Sequence, residues 1–193
     1  AKYQYKRVLG FYYMILMITC IFVTMWGKEI IALMSNSAYG AAYLLLPGLL
    51  FGQVMYGVSV IVGYGLSFEK KTNYIFAANV IGAVLNIVLN FAFIPNFGVE
   101  AAAYTTYVGY FVMAILLYVF AQKFYPCDYA ISKVIISNVI IIALATFMNH
   151  YEMALGIRAL LTAASLALIF ILYRDAIKDI FMILVRVKRK IRG

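Results

Sequence analysis

The chain has 193 residues, of which 66% are hydrophobic and only 12% are charged, and its formal net charge is +9. Soluble proteins carry about 25% charged residues, so this composition excludes a soluble fold. It predicts a multi-pass membrane protein, whose basic excess reflects topology signals and binding to anionic membrane lipids rather than to nucleic acid.

Six apolar stretches reach the length of about 20 residues that a membrane-spanning helix needs. They are predicted to be helices, because a segment in lipid must satisfy its own backbone hydrogen bonds and these stretches are too long for barrel strands. The sequence therefore predicts an all-α polytopic membrane protein, a single transmembrane bundle over 1–193, with spans at 8–26, 41–67, 74–94, 101–121, 132–149 and 155–173.

The basic residues lie at the ends of these spans with a strong asymmetry. Lys133 and Arg158 lie within the first four residues of a span and are counted with the connection before it. On that count three Lys or Arg residues precede the first span, two follow the second, two follow the fourth and seven follow the sixth, whereas the alternate connections hold one, none and one. Cytoplasmic connections carry the excess of Lys and Arg, so both termini of this segment are predicted to be cytoplasmic.

The second span is unusually rich in small and polar residues, including Pro47, Gly48, Gly52, Gln53 and Tyr56. Proline removes one backbone hydrogen bond and tends to kink a helix. Gly48 and Gly52 are four residues apart, which would let another helix approach closely. The span either packs tightly against a neighbour or bends and lines a cavity, and in the second case Gln53 and Tyr56 are candidate cavity residues.

The third span carries three asparagines, Asn79, Asn86 and Asn90. Their separations are close to two and three full turns of a helix with about 3.6 residues per turn, so they form one stripe. Amide side chains would not face lipid, so they face protein or a wet cavity. They either hold two helices together or form a polar wall for a sugar- or phosphate-bearing substrate, since amides both donate and accept hydrogen bonds.

The segment after the last span is basic and partly amphipathic. Its apolar residues share one helical face over 175–191, which predicts a helix lying on the cytoplasmic membrane surface. A plain basic tail that stops translocation is the alternative.

The sequence offers no candidate catalytic, cofactor-binding or metal-binding residue. The single histidine, His150, lies in a connection without enough partners for a metal site. No Asp, Glu, Lys or Arg lies near the middle of any span, although ion-coupled transporters usually have a carboxylate there. Glu29, Glu69 and Glu100 stand at span ends, where we expect solvated roles.

Several short motifs follow one another between the second and fourth spans. They are Gly63-x-Gly65-Leu66, Lys70-Lys71-Thr72, Asn79, Gly82-Ala83, Asn86, Asn90, Ile94-Pro95, Phe97-Gly98 and Ala101-Ala102. This series resembles the C-terminal half of the polysaccharide flippases, the O-antigen and capsule exporters of the MATE-like MOP superfamily. Glu69, Glu100 and Tyr104 depart from the pattern of that family, in which small residues are usual.

The resemblance implies the C-terminal part of a two-lobe transporter whose N-terminal lobe is not in this chain. It implies a flippase, not an enzyme, that moves an undecaprenyl-diphosphate-linked oligosaccharide across the bacterial cytoplasmic (inner) membrane by alternating access, for synthesis of surface polysaccharides such as the O-antigen of lipopolysaccharide. It implies no cofactor. The alternatives are a cation-coupled small-molecule exporter of the MATE branch, which would have acidic residues in its helices, and a membrane glycan polymerase or ligase, which would have conspicuous charged outer loops.

Overall fold

The computed structural model describes residues 2–34, 42–150 and 154–178. This part of the chain is almost entirely helical and contains no β-strand. The six helices in chain order are α1 (Lys2–Met34), α2 (Leu46–Phe68), α3 (Thr72–Phe97), α4 (Val99–Phe124), α5 (Ile131–His150) and α6 (Leu155–Leu172). The chain is thus an all-α protein, as predicted.

Five helical segments are long and apolar enough to cross a membrane, namely Tyr5–Met34, Ala42–Phe68, Thr72–Phe97, Val99–Phe124 and Leu155–Leu172. Within α5 the apolar stretch Ile131–Phe147 is shorter. These helices make the chain a polytopic membrane protein, while a full span at α5 stays a prediction. The predicted surface helix at 175–191 lies mostly outside the described residues. Its described part, up to residue 178, is helical.

The helices pack in an order that differs from their order in the chain. α4 contacts both α2 and α3, α2 contacts α1, and α1 contacts α5 and α6. α1 buries one face with a residue every four positions, at Leu9, Tyr13, Met17, Ile21 and Met25. In α3, by contrast, only Ala78 and Gly82 are buried, so most of α3 is available to lipid or to another protein segment.

The predicted close approach at Gly48 and Gly52 is confirmed, and the partner is α4. A Cβ atom on Gly48 would lie 2.9 Å from the Cβ of Ala103, and one on Gly52 would lie 3.7 Å from the methyl group of Thr106. A Cβ at Gly48 would be too close to Ala103 unless the helices moved apart, whereas a Cβ at Gly52 would make ordinary van der Waals contact with α4. Small residues allow this close packing, which drives helix association in membranes.

The structure corrects the expected kink at Pro47, and it extends the helix of the third span past Pro95. α2 begins at Leu46, so Pro47 lies in its first turn. Backbone N–H groups in the first turn make no hydrogen bond within the helix, so the N–H that proline lacks is not missed and proline does not kink the helix there. Pro95 lies inside α3, which continues to Phe97. The connection to α4 is Gly98 alone, with a φ of 68° that glycine adopts readily.

Candidate substrate-binding surface

The asparagine stripe exists as predicted, because Asn79, Asn86 and Asn90 all lie in the continuous helix α3. The three side chains nevertheless have different surroundings. Asn79 is exposed, and its amide donates to the carbonyl oxygen of Ile75, one turn earlier in the same helix, at 2.7 Å. Asn86 and Asn90 are half-buried and reach α4.

Asn86 and Asn90 form a continuous hydrogen-bonded network with two threonines of α4. The Asn86 amide donates to the Thr106 hydroxyl oxygen at 3.3 Å. The Asn90 amide donates to the Asn86 side-chain oxygen at 3.2 Å. The Thr105 hydroxyl donates to the Asn90 side-chain oxygen. Each such bond between membrane helices contributes about 0.6 kcal/mol and at most about 2 kcal/mol, so the network joins α3 to α4.

The network depends on an unusually close crossing of these two helices. A Cβ atom on Gly82 would lie 3.0 Å from the carbonyl oxygen of Gly109, and a Cβ atom on Gly109 would lie 3.1 Å from the Cβ of Asn86. Two glycines face each other at the crossing, so the short side chains of Asn86 and Thr106 can meet across it. For Asn86 and Asn90 the structure therefore favours the helix-joining role.

The two candidates of α2, Gln53 and Tyr56, lie on the other flank of α4. Gln53 is exposed, and its backbone carbonyl oxygen accepts a hydrogen bond from the Tyr12 hydroxyl at 3.3 Å. Tyr56 is 45% exposed, and its ring centroid lies 5.3 Å from that of Tyr110 in α4. A polar and aromatic surface is thus open on α2 beside α4.

Thr106 stands between the two sets of candidates. Its hydroxyl accepts from Asn86, while its methyl group faces Gly52, the neighbour of Gln53. Within the described ranges no hydrogen bond or ring contact joins Gln53 or Tyr56 directly to an asparagine of α3. The structure therefore places the five candidates on helices α2 and α3, which flank α4, and the exposed ones are Asn79, Gln53 and Tyr56.

An ion pair joins α1 to α6 and was not predicted from the sequence. Its carboxylate is that of Glu29, which stays 40% exposed, so the expected contact with solvent holds while a partner is added. The Arg158 guanidinium donates to both carboxylate oxygens of Glu29, at 2.5 and 2.7 Å, and also to the carbonyl oxygen of Met25. It lies 4.9 Å from the ring centroid of Trp26. The pair could have been predicted from the topology, which places Glu29 just after the first span and Arg158 near the start of the last span, on the same side of the membrane.

The described residues contain no group of three or more His, Cys, Asp or Glu side chains that could hold a metal ion. His150 ends α5, and its side chain lies outside the described part. The structure thus adds no candidate for acid–base, nucleophilic or metal chemistry within the described ranges.

Comparison with known proteins gives one informative match. No protein-family profile and no solved structure matches the chain. The chain is similar to a probable low-salt glycan biosynthesis flippase, Agl15, of Haloferax volcanii, with 25% identity over 149 residues. The aligned region covers 77% of this chain and 32% of the relative, so the chain spans about a third of the length of the curated protein it matches.

This similarity supports a flippase-like protein and a transporter rather than an enzyme. It agrees with the apolar helices in indicating a membrane location. The relative comes from an archaeon, so the match supports neither the bacterial inner membrane nor the O-antigen pathway in particular.

Proposed function

We propose that this chain belongs to a transporter that moves a lipid-linked oligosaccharide from one membrane leaflet to the other. The observation that carries the proposal is the 149-residue similarity to a probable glycan biosynthesis flippase. The polytopic all-α fold agrees with it, because flipping a lipid-linked glycan requires a protein embedded in the bilayer.

The open polar side chains support a substrate that carries sugars. Asn79 and Gln53 present exposed amides, and Tyr56 presents a partly exposed aromatic ring with a hydroxyl group. Amides donate to and accept from sugar hydroxyls without needing a charge. We propose that these three residues contact the glycan, while Asn86 and Asn90 hold α3 against α4 so that the surface keeps its shape.

The exposed face of α3 suits a transporter that works by alternating access. We propose that a second lobe faces this surface and closes a cavity with it, so that the lipid tail stays in the bilayer while the glycan crosses. More specifically, we propose that the oligosaccharide is linked to undecaprenyl diphosphate and that the membrane is the bacterial inner membrane. A cation-coupled small-molecule exporter is disfavoured by the lack of a mid-span carboxylate in the six predicted spans.

Depletion of the protein in its native cell tests this function. We expect the surface glycan to fall by about tenfold or more and the lipid-linked oligosaccharide to accumulate in the membrane, because synthesis continues while transfer between leaflets stops. Both are measured by quantitative mass spectrometry, with re-expression of the wild-type gene as the control. An unchanged surface glycan together with a new sensitivity to small cationic compounds would favour the exporter instead.

A further inference from the structure

A cavity of about 400 Å³ opens at the basic end of the helix bundle, between α1, α5 and the residues that follow α6. Its volume falls within the range of about 300–1,000 Å³ that is typical of small-molecule pockets. The side chains of Lys6, Arg7, Lys133 and Lys178 line it, together with the carboxylate of Asp175. The cavity is separate from the surface formed by α2, α3 and α4.

The charges around this cavity are unbalanced toward the positive. Lys133 forms an ion pair with Asp175 at 3.1 Å, and Lys6 forms one with Asp128 of the connection between α4 and α5. A hydrogen bond from Lys133 holds the pKa of the Asp175 carboxyl below its ordinary value, so this carboxyl is charged at neutral pH. Four basic side chains line the cavity, and two of them are paired with a carboxylate, of which only Asp175 belongs to the lining.

Both ion pairs are of a kind that another anion can replace. The Asp128 and Asp175 side chains are 72% and 68% exposed. Ion pairs with a solvated partner contribute little to stability, since water screens them. A phosphate that enters the cavity can thus take over the ammonium groups of Lys6 and Lys133, while water solvates the released carboxylates.

The inner wall of the cavity is formed by buried side chains that contact one another. The rings of Tyr13 and Tyr173 stack with centroids 6.0 Å apart. The Tyr13 hydroxyl donates to the carbonyl oxygen of Val134 at 3.2 Å and accepts from the Asn138 amide. The Tyr173 and Ser137 hydroxyl oxygens lie 3.2 Å apart. These buried contacts tie α1 and α5 to Tyr173, the residue that follows α6.

We propose that this cavity binds the phosphate group of an anionic membrane lipid. Lysine and arginine provide the charge-assisted hydrogen bonds that phosphate oxygens accept. The cavity lies where one end of α1 meets α5 and the residues after α6, and α1 and α6 are long and apolar enough to cross a membrane. Lipid headgroups lie at the ends of such helices, and basic pockets between membrane helices bind anionic headgroups. Its lining also includes the apolar residues Leu9, Val134 and Ala176, which suit the glycerol and first acyl carbons of a lipid.

The test compares two variants that lose the same charge. The full-length protein is purified, and its binding of phosphatidylglycerol is titrated by native mass spectrometry. We expect Lys6→Gln/Lys133→Gln to weaken phosphatidylglycerol binding at the highest-affinity site by about tenfold. Lys70→Gln/Lys71→Gln, in the connection between α2 and α3, should leave that site unchanged. Phosphatidylcholine, which carries no net charge, should bind both variants and the wild type equally weakly.

Two further arms separate the possible outcomes. Lys6→Arg/Lys133→Arg keeps both charges and should retain binding, which shows that the site requires positive charge rather than the lysine side chains themselves. Equal weakening in both glutamine variants would mean general attraction between a basic protein and an anionic lipid, and would overturn the proposal. Tight binding of inorganic phosphate or pyrophosphate through the same lysines, without binding of phosphatidylglycerol, would also overturn it and assign the site to a soluble anion.

Discussion

Replacing Glu29 with leucine is expected to destabilise the protein by about 2–4 kcal/mol, more than replacing its partner Arg158 with methionine. The reason is the difference in burial of the two side chains. The Arg158 side chain is 11% exposed, whereas that of Glu29 is 40% exposed. Loss of the glutamate leaves a buried guanidinium without its counter-charge, which is costly. Loss of the arginine leaves a carboxylate that water can reach, so the penalty is smaller.

The double variant provides the control. Glu29→Leu/Arg158→Met removes both charges and should recover part of the stability that Glu29→Leu loses, because no uncompensated charge stays buried. Thermal unfolding of each purified variant in the same detergent measures the differences. If Arg158→Met destabilises as much as Glu29→Leu, and the double variant is the least stable, the two charges do not differ in the cost of losing their partner. In that case packing of Arg158 on Trp26 carries the interaction.

The second large effect concerns transport, and it rests on the proposed function. Asn79→Leu is expected to lower glycan transport by about tenfold, which corresponds to the loss of about one hydrogen bond of 1.4 kcal/mol to the substrate. The free energy of unfolding should change by less than about 0.5 kcal/mol, as for other surface substitutions. The only hydrogen bond of the Asn79 side chain within the described part of the chain is to Ile75 in its own helix.

Thr106→Val is the matched variant, and it should have the opposite signature. Valine has nearly the shape of threonine but cannot accept the hydrogen bond from Asn86, so about 0.6 kcal/mol of stability, and at most about 2 kcal/mol, should be lost. Transport per folded molecule should stay near the wild-type level. Export in cells, normalised to the amount of folded protein in the membrane, distinguishes the two. If Thr106→Val abolishes transport while Asn79→Leu does not, the network between α3 and α4 is itself part of the substrate surface.

Helix positions were predictable from sequence because the bilayer imposes a length and an apolar composition on each span. The same constraint made the asparagine stripe of α3 predictable, since helical periodicity fixes which residues share a face. The α2 glycines were also informative, because two small residues four apart leave a groove for a neighbour. The sequence does not show which neighbour fills that groove, and the structure identifies it as α4.

The separate roles of the three asparagines could not be predicted, because they depend on where α4 crosses α3. The facing pair Gly82 and Gly109 determines that crossing, and it brings Thr105 and Thr106 to Asn90 and Asn86 but not to Asn79. The pair of Glu29 and Arg158 was missed for a similar reason. Charges at the ends of spans are usually solvated, and only the packing of α6 on α1 buries Arg158.

The most direct test of the central claim is a flipping assay with the purified full-length protein. Proteoliposomes receive a lipid-linked oligosaccharide with a fluorescent label on the glycan, and a membrane-impermeant quencher is then added. We expect the quenched fraction to rise from that of the outer leaflet alone to nearly all of the label, and Asn79→Leu to slow this rise by about tenfold. Vesicles that exclude the quencher from a trapped soluble dye provide the leak control. If folded wild-type protein quenches no more label than protein-free vesicles, the protein is not a flippase for this lipid-linked oligosaccharide.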